Sequence, residues 1–172
     1  QVKAGDKIYA VNMKKTMVMF QIGTDCLEKG MNILGAHIDS PRLDLKQNPL
    51  YEDSSFTYLD THYYGGIKKY QWVAMPLALH GVVAKKDGSV LDVVIGEDDN
   101  DPIVYITDLL PHLGARQLQK TADIVVEGEQ LDVLIGSRPL VEDGDKETKD
   151  AVKANILNIL KEKYDIEEED FL

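Results

Sequence analysis

From Tyr51 onwards the chain consists of short apolar runs separated by turn residues, and this pattern limits the folds it can adopt. Four runs have the composition of β-strands: residues 77–84, 90–95, 103–106 and 131–135. Residues 86–89 join the first two runs, and the dipeptide Asp87-Gly88 within them is a strong local signal for a β-hairpin. A series of short strands with such turns predicts a β-rich domain.

One segment has the periodicity of an α-helix. In residues 146–164 apolar side chains recur at the helical spacing, which places Val152, Ile156 and Ile159 on the predicted packing face. Asp145 precedes the segment and is the predicted N-cap. Strands followed by a single amphipathic helix predict an α+β segment overall.

The first fifty residues have a different pattern. Residues 7–10 and 16–22 are predicted strands with a polar turn between them. Residues 32–38 form a third apolar run that ends in polar side chains. A buried strand that ends in polar groups is a frequent way to build a site on an α/β sheet, so this run predicts part of an α/β domain.

Composition and charge exclude several classes of function. The net charge is −11, from 30 acidic and 19 basic side chains, which argues against nucleic acids and anionic membranes as partners. A single cysteine, Cys26, excludes an intrachain disulfide and a multi-cysteine zinc site. No apolar run approaches the roughly 18 residues of a membrane span, and no signal peptide is recognisable, so the sequence predicts a cytoplasmic protein.

The polar end of the third run contains a possible metal-binding pair. His37 and Asp39 are two positions apart and would point to the same side of an extended chain. A neutral imidazole is a good zinc ligand, and a nearby carboxylate can orient it. On spacing alone a structural role is the more frequent case, because one histidine cannot complete a zinc site.

Three motifs in a fixed order identify a resemblance. GAHIDSPRLDLK, LDTHYYGGIKKYQW and LLPHLGARQ, followed by residues 153–172, resemble the aspartyl aminopeptidase (aminopeptidase I) family of cocatalytic zinc metallopeptidases. The resemblance implies a zinc-peptidase α/β domain that is followed by an inserted, β-rich dimerisation domain. Residues 1–50 would be the N-terminal part of the peptidase domain, 51–170 the inserted domain, and 171–172 the start of the return to the peptidase domain.

The resemblance also implies roles for three residues. His37 is similar to the first zinc ligand, and Asp39 to the catalytic carboxylate that orients this ligand. His112 resembles a histidine that reaches across a dimer into the partner's active site, where it contacts substrate and helps to stabilise the oxyanion. Without the resemblance, His112 would be interpreted as an ordinary loop histidine.

The function that the resemblance implies is removal of the N-terminal residue of peptides by water activated between two divalent metal ions, with zinc as the expected metal. It also implies a homo-oligomer in which dimers assemble into a tetrahedral dodecamer. The family's bridging aspartate, Glu-Glu pair and last histidine have no counterpart in the sequence. We therefore expect part of a longer enzyme, inactive alone. The alternative is a non-catalytic β-rich module that serves only oligomerisation.

Overall fold

The computed structural model describes residues 1–140 and 149–171, which divide into two compact units. Residues 1–40 form the N-terminal unit, and residues 41–172 form the β-rich unit. The strands and the helix are β1 (Lys7–Asn12), β2 (Thr16–Gln21), β3 (Arg42–Asp53), β4 (Phe56–Tyr64), β5 (Pro76–Leu77), β6 (Leu79–Ala84), β7 (Val90–Ile95), β8 (Val104–Tyr105), β9 (Val133–Gly136) and α1 (Ala151–Tyr164). Short 3-10 turns lie at Leu27–Lys29, Lys69–Gln71, Gln117–Gln119, Gly128–Gln130 and Glu168–Phe171.

The N-terminal unit contains one antiparallel hairpin, β1 and β2, which confirms the first two predicted strands. Met13 and Lys14 form its turn with φ angles of 51° and 56°. Positive φ at both central positions matches the right-handed twist of the two strands. Every residue of both strands is exposed to solvent.

The prediction of a buried strand at residues 32–38 is wrong for this structure. The segment has no regular secondary structure, and Ile33 and Leu34 are 81% and 98% exposed. A strand of this kind needs hydrogen-bonded neighbours that cover its apolar side chains. None of the described strands pairs with the segment, so its backbone stays irregular.

The β-rich unit is organised by a five-stranded antiparallel sheet in the order β3-β4-β9-β8-β5. Its longest pairing joins β3 to β4, from Arg42 opposite Tyr64 to Asp53 opposite Phe56. The register shifts between residues 45 and 50, where Pro49 lacks the N–H group that a ladder needs. The predicted strands did not include β3 or β4.

The second hairpin, β6 and β7, is the predicted hairpin, and it forms a two-stranded sheet of its own. Leu77, in the same predicted run as β6, instead belongs to β5 of the five-stranded sheet. Its turn contains Asp87 and Gly88, and Gly88 has a φ of 84°. The Asp87 carboxylate accepts hydrogen bonds from the Ser89 N–H at 2.8 Å and the Ser89 hydroxyl at 2.6 Å. Strands β8 and β9 overlap the two remaining predicted runs, which confirms these as well.

The core of the β-rich unit lies on one face of the five-stranded sheet. Its buried side chains are apolar: Leu50, Leu59, Val104, Ile106, Val126, Leu131 and Val133. Helix α1 approaches this core over β9. A Cβ atom built on Gly136 would lie 2.8 Å from Ile156 Cγ1, so only glycine permits the helix to pack this closely at that point.

Helix α1 confirms the predicted helix over residues 151–164, but its start is stabilised from another element. The predicted N-cap, Asp145, lies outside the described residues. Glu52 at the end of β3 instead accepts hydrogen bonds from the Val152 and Lys153 N–H groups at 3.0 and 2.9 Å. These N–H groups have no partner within the helix, so a carboxylate placed there satisfies them and complements the helix dipole.

The predicted packing face of α1 is correct in part. Val152 is 2% exposed and Ile156 is half-buried, whereas Ile159 is 44% exposed. Including Ile159 in the packing face was therefore wrong. No helix in the described ranges is long and apolar enough to cross a membrane.

The difference in burial between these side chains yields a prediction. Val152→Asp would bury a carboxylate without a partner, and we expect it to lower the free energy of unfolding by about 3 kcal/mol or more. Ile159→Asp on the same helix places its carboxylate at an exposed position and should cost less than about 1 kcal/mol. Thermal unfolding of both variants measures the difference. Equal melting temperatures would contradict this packing of α1.

Candidate functional site

The two candidate metal-binding residues lie in the irregular segment of the N-terminal unit. His37 and Asp39 are both exposed and belong to neither a strand nor a helix. They are therefore not part of the buried strand that the sequence predicted. Their chemistry remains that of an imidazole and a carboxylate two residues apart.

Pro41 and Arg42, the first residues of the β-rich unit, are held in place by contacts with other residues of that unit. A Cβ atom built on Gly65 would lie 3.6 Å from Pro41 Cα, so the two residues are in close contact. The Arg42 guanidinium lies 4.1 Å from the centre of the Tyr64 ring, and Arg42 Nε donates a hydrogen bond to Asp44 at 2.7 Å. This cation–π contact and ion pair hold the first residue of β3 in place.

A complete zinc site needs about four ligands arranged around one point. His37 has the right donor for one position, and Asp39 has the right donor to orient an imidazole. Among residues 1–140 and 149–171, no three His, Cys, Asp or Glu side chains are grouped to hold a metal ion. The donors at His37 and Asp39 therefore fit one edge of such a site, and the described residues do not complete it.

His112 lies in an exposed loop of the β-rich unit. The loop, residues 107–118, leaves the core after Ile106, which is fully buried. We call it the leucine loop because exposed leucines surround the histidine. His112 sits in a tight turn in which the N–H groups of Leu113 and Gly114 donate to the Leu110 carbonyl at 2.9 and 2.8 Å. The exposed leucines are Leu109 (53%), Leu110 (58%), Leu113 (66%) and Leu118 (69%).

A polar network near the sheet was not predicted from the sequence. The Tyr51 hydroxyl donates to the Asp132 carboxylate at 2.6 Å, and the Thr61 N–H donates to the same carboxylate at 3.2 Å. Burial and this carboxylate raise the pKa of the Tyr51 phenol above its usual range. The network ties β3 and β4 to the turn before β9. Its partners lie 81 and 71 residues apart, so no local sequence signal identifies them.

The β-rich unit also contains a cavity of about 1060 Å³ between its sheet, its second hairpin and α1. Its walls are mainly apolar side chains from these elements. His112, Tyr51 and Asp132 do not line it, whereas Thr61, the third member of the polar network, does. Its lining residues with a charged or imidazole side chain are Arg42, Asp44, His80 and Arg138, and Arg42 and Asp44 form an ion pair with each other. We assign no catalytic role to this cavity.

Comparison with known proteins assigns the whole chain to one family. The sequence model described as "Aminopeptidase I zinc metalloprotease (M18)" matches residues 1–172. A Clostridium acetobutylicum protein named "Probable M18 family aminopeptidase 1" is 61% identical over 171 residues, which are 99% of this chain and 36% of that protein. The chain thus spans about a third of the length of this relative.

Solved structures agree with this match. The crystal structure of aminopeptidase I from Clostridium acetobutylicum superposes with a TM-score of 0.79 at 60% identity, over 99% of this chain and 37% of that chain. An M18 family aminopeptidase from Thermotoga maritima superposes with a TM-score of 0.82 at 46% identity, over 98% of this chain and 36% of that chain. Both comparisons confirm the predicted α+β fold.

The incomplete donor set leads to a prediction for the isolated 172-residue chain. One imidazole supplies only one of about four ligands, so the chain should not retain a stoichiometric zinc ion after dialysis against metal-free buffer. Atomic absorption on the dialysed chain and on its His37→Ala variant measures the zinc content. A tightly held zinc ion that the His37→Ala substitution removes would show that the described residues already form a closed site.

Proposed function

The chain belongs to the aminopeptidase I zinc metalloprotease (M18) family, and we propose that the full-length protein is a zinc aminopeptidase that removes the N-terminal residue of peptides. The observation that carries this proposal is the family match over all 172 residues. It is supported by the imidazole and carboxylate of the His-x-Asp pair, which are the donors that one edge of a zinc site requires.

In the proposed site His37 would bind zinc through one ring nitrogen, and Asp39 would be the carboxylate that orients the imidazole. A hydrogen bond to the other ring nitrogen would fix the tautomer and make the ring a better donor. When bound, zinc would polarise a peptide carbonyl and lower the pKa of water, so that hydroxide is available as the nucleophile near neutral pH. The proposed complete site contains two divalent ions, of which His37 holds one.

His112 is proposed to act in the active site of a partner subunit. The four exposed leucines near it in the sequence support this role, because exposed apolar side chains that lie together are often covered by another protein surface. An imidazole N–H that reaches the reacting carbonyl would donate to the oxygen on which negative charge develops. The proposed role of the β-rich unit is therefore dimerisation that also completes catalysis.

The proposed assembly follows from the same role. The inserted dimerisation domain, residues 51–170 in our prediction, would pair two subunits, and such dimers would assemble into the tetrahedral dodecamer. Size-exclusion chromatography with light scattering on the full-length protein measures the mass. A stable monomer that cleaves peptides at full rate would contradict both the assembly and the role of His112.

The first test concerns zinc binding by the full-length protein. His37→Ala removes a proposed ligand, so the variant should lose at least one zinc ion per subunit and nearly all hydrolysis of an aminoacyl chromogenic substrate. The matched control is His80→Ala, since His80 is an exposed histidine that pairs with Glu97 on the second hairpin. Zinc content and activity are measured on both. Unchanged zinc in His37→Ala would reject the ligand assignment.

A second test asks whether His112 acts between subunits. His112→Ala should lower kcat by roughly 10²- to 10³-fold, the usual loss for one oxyanion donor, and leave the zinc content unchanged. Mixing this variant with His37→Ala creates mixed dimers with one site that has both an intact metal centre and an intact partner histidine. Random pairing should restore up to about a quarter of the wild-type activity. Mixed dimers that form but stay inactive would contradict action across the interface.

The alternative, a non-catalytic oligomerisation module, makes a different prediction for the same protein. Zinc-loaded, full-length protein would then form oligomers without hydrolysing any aminoacyl chromogenic substrate. The β-rich unit would account for its association, and His37→Ala would change neither property.

A further inference from the structure

We propose that the side chains of Asp108 and Gln117 form a strap that positions His112 for catalysis. This inference rests on the proposed role of His112 and names the residues that give the leucine loop its shape. Asp108 lies four residues before His112, and Gln117 lies five residues after it. Neither is argued to touch substrate, so both are positioning residues.

The conformation of the leucine loop must be stabilised by contacts within the loop, because few of its side chains are buried in the core. Ile106 is fully buried and Val126 is 3% exposed, and these residues fix the two ends. Between residues 107 and 124 every residue is exposed except Gly114 and Gln117. Burial of apolar side chains therefore contributes little to the conformation at His112, and hydrogen bonds within the loop must set it.

The strap closes the base of the loop. The Gln117 side-chain amide donates a hydrogen bond from Nε2 to Asp108 Oδ1 at 2.9 Å, and the Leu109 N–H donates to the same oxygen at 2.8 Å. Asp108 therefore joins the outgoing and the returning limb of the loop. Within residues 107–118 this is the one described hydrogen bond between two side chains. A bond to a carboxylate is stronger than one between neutral groups.

Gly114 has no side chain, and this leaves room for the Gln117 side chain to cross the loop close to the backbone. A Cβ atom built on Gly114 would lie 3.1 Å from Gln117 Oε1 and 3.3 Å from the Leu110 carbonyl oxygen. The amide thus lies directly over the glycine, with its oxygen towards Gly114 and its nitrogen towards Asp108. Gly114 also donates to Leu110, which closes the turn that contains His112.

Breaking the strap should affect catalysis more than stability. Once the bond between Asp108 and Gln117 is lost, residues 108–117 sample more conformations, and only some of them place the imidazole correctly. The fraction of correctly placed histidines, and with it kcat, should fall by roughly three- to tenfold, the worth of one net hydrogen bond. Zinc binding does not involve the loop and should not change.

The experiment uses the full-length protein and exchanges donor and acceptor. Gln117→Glu removes the donor and places two carboxylates together. Asp108→Asn keeps an acceptor for Leu109 and gains an N–H donor, so the double variant Asp108→Asn with Gln117→Glu can rebuild the strap in reverse. The matched control is Gln119→Glu, which adds the same charge two residues further along. Measurements are kcat, KM, zinc content, melting temperature and hydrogen–deuterium exchange of residues 109–114.

Gln117→Glu should lower kcat by roughly three- to tenfold, speed exchange in residues 109–114, and keep wild-type zinc content and melting temperature. The double variant should recover most of the loss, while Gln119→Glu should match wild type. The strap would be overturned by equal kcat values for Gln117→Glu and Gln119→Glu, or by no recovery of kcat in the double variant. If His112→Ala still has a low kcat in that case, the proposed role of His112 stands without the strap. A His112→Ala variant with full kcat would instead reject the proposed function of His112, and this inference with it.

Discussion

The antiparallel pairing of β3 with β4 is the contact on which the rest of the β-rich unit depends. The hairpin contributes Leu50 and Leu59 to the core, and Glu52 at its end holds the first N–H groups of α1. Through Tyr51 and Thr61 it also binds Asp132, which lies in the segment that leads into β9. Elements that are distant in the sequence therefore meet on one pair of strands. Loss of this pairing would separate the helix, the core and the turn before β9 together.

Local signals in the sequence were sufficient for some of these elements. The hairpin of β6 and β7 was predictable because Asp87-Gly88 specifies its turn without help from distant residues. Strand β3 was missed because Pro49 and the polar residues around it interrupt the alternation that marks a strand. The start of α1 could not be derived because its capping group, Glu52, lies 100 residues from Val152. Local chemistry thus predicted turns and strand runs, whereas long-range partners decided the register and the cap.

The roles of the candidate site residues could be predicted from the local sequence even less than the fold could. Spacing alone suggested that His37 and Asp39 lie on one face of a buried strand, but no described strand pairs with that segment and it remains irregular. Their proposed roles therefore come from family membership and from the chemistry of their side chains. The leucine loop differs, because its own hydrogen bonds shape the turn around His112. On this account the chain contributes two separate parts of a site: a metal ligand, and a histidine presented to a partner subunit.

The most direct test of this account is a crystal structure of the full-length protein with diffraction data collected at the zinc absorption edge. The anomalous signal locates each zinc ion independently of any assumption about its ligands. The account predicts a His37 ring nitrogen at about 2.0–2.1 Å from one zinc ion, and His112 of the partner subunit facing the same site. A fully ligated zinc ion with His37 outside its coordination sphere, or a site enclosed without a histidine from another subunit, would contradict it.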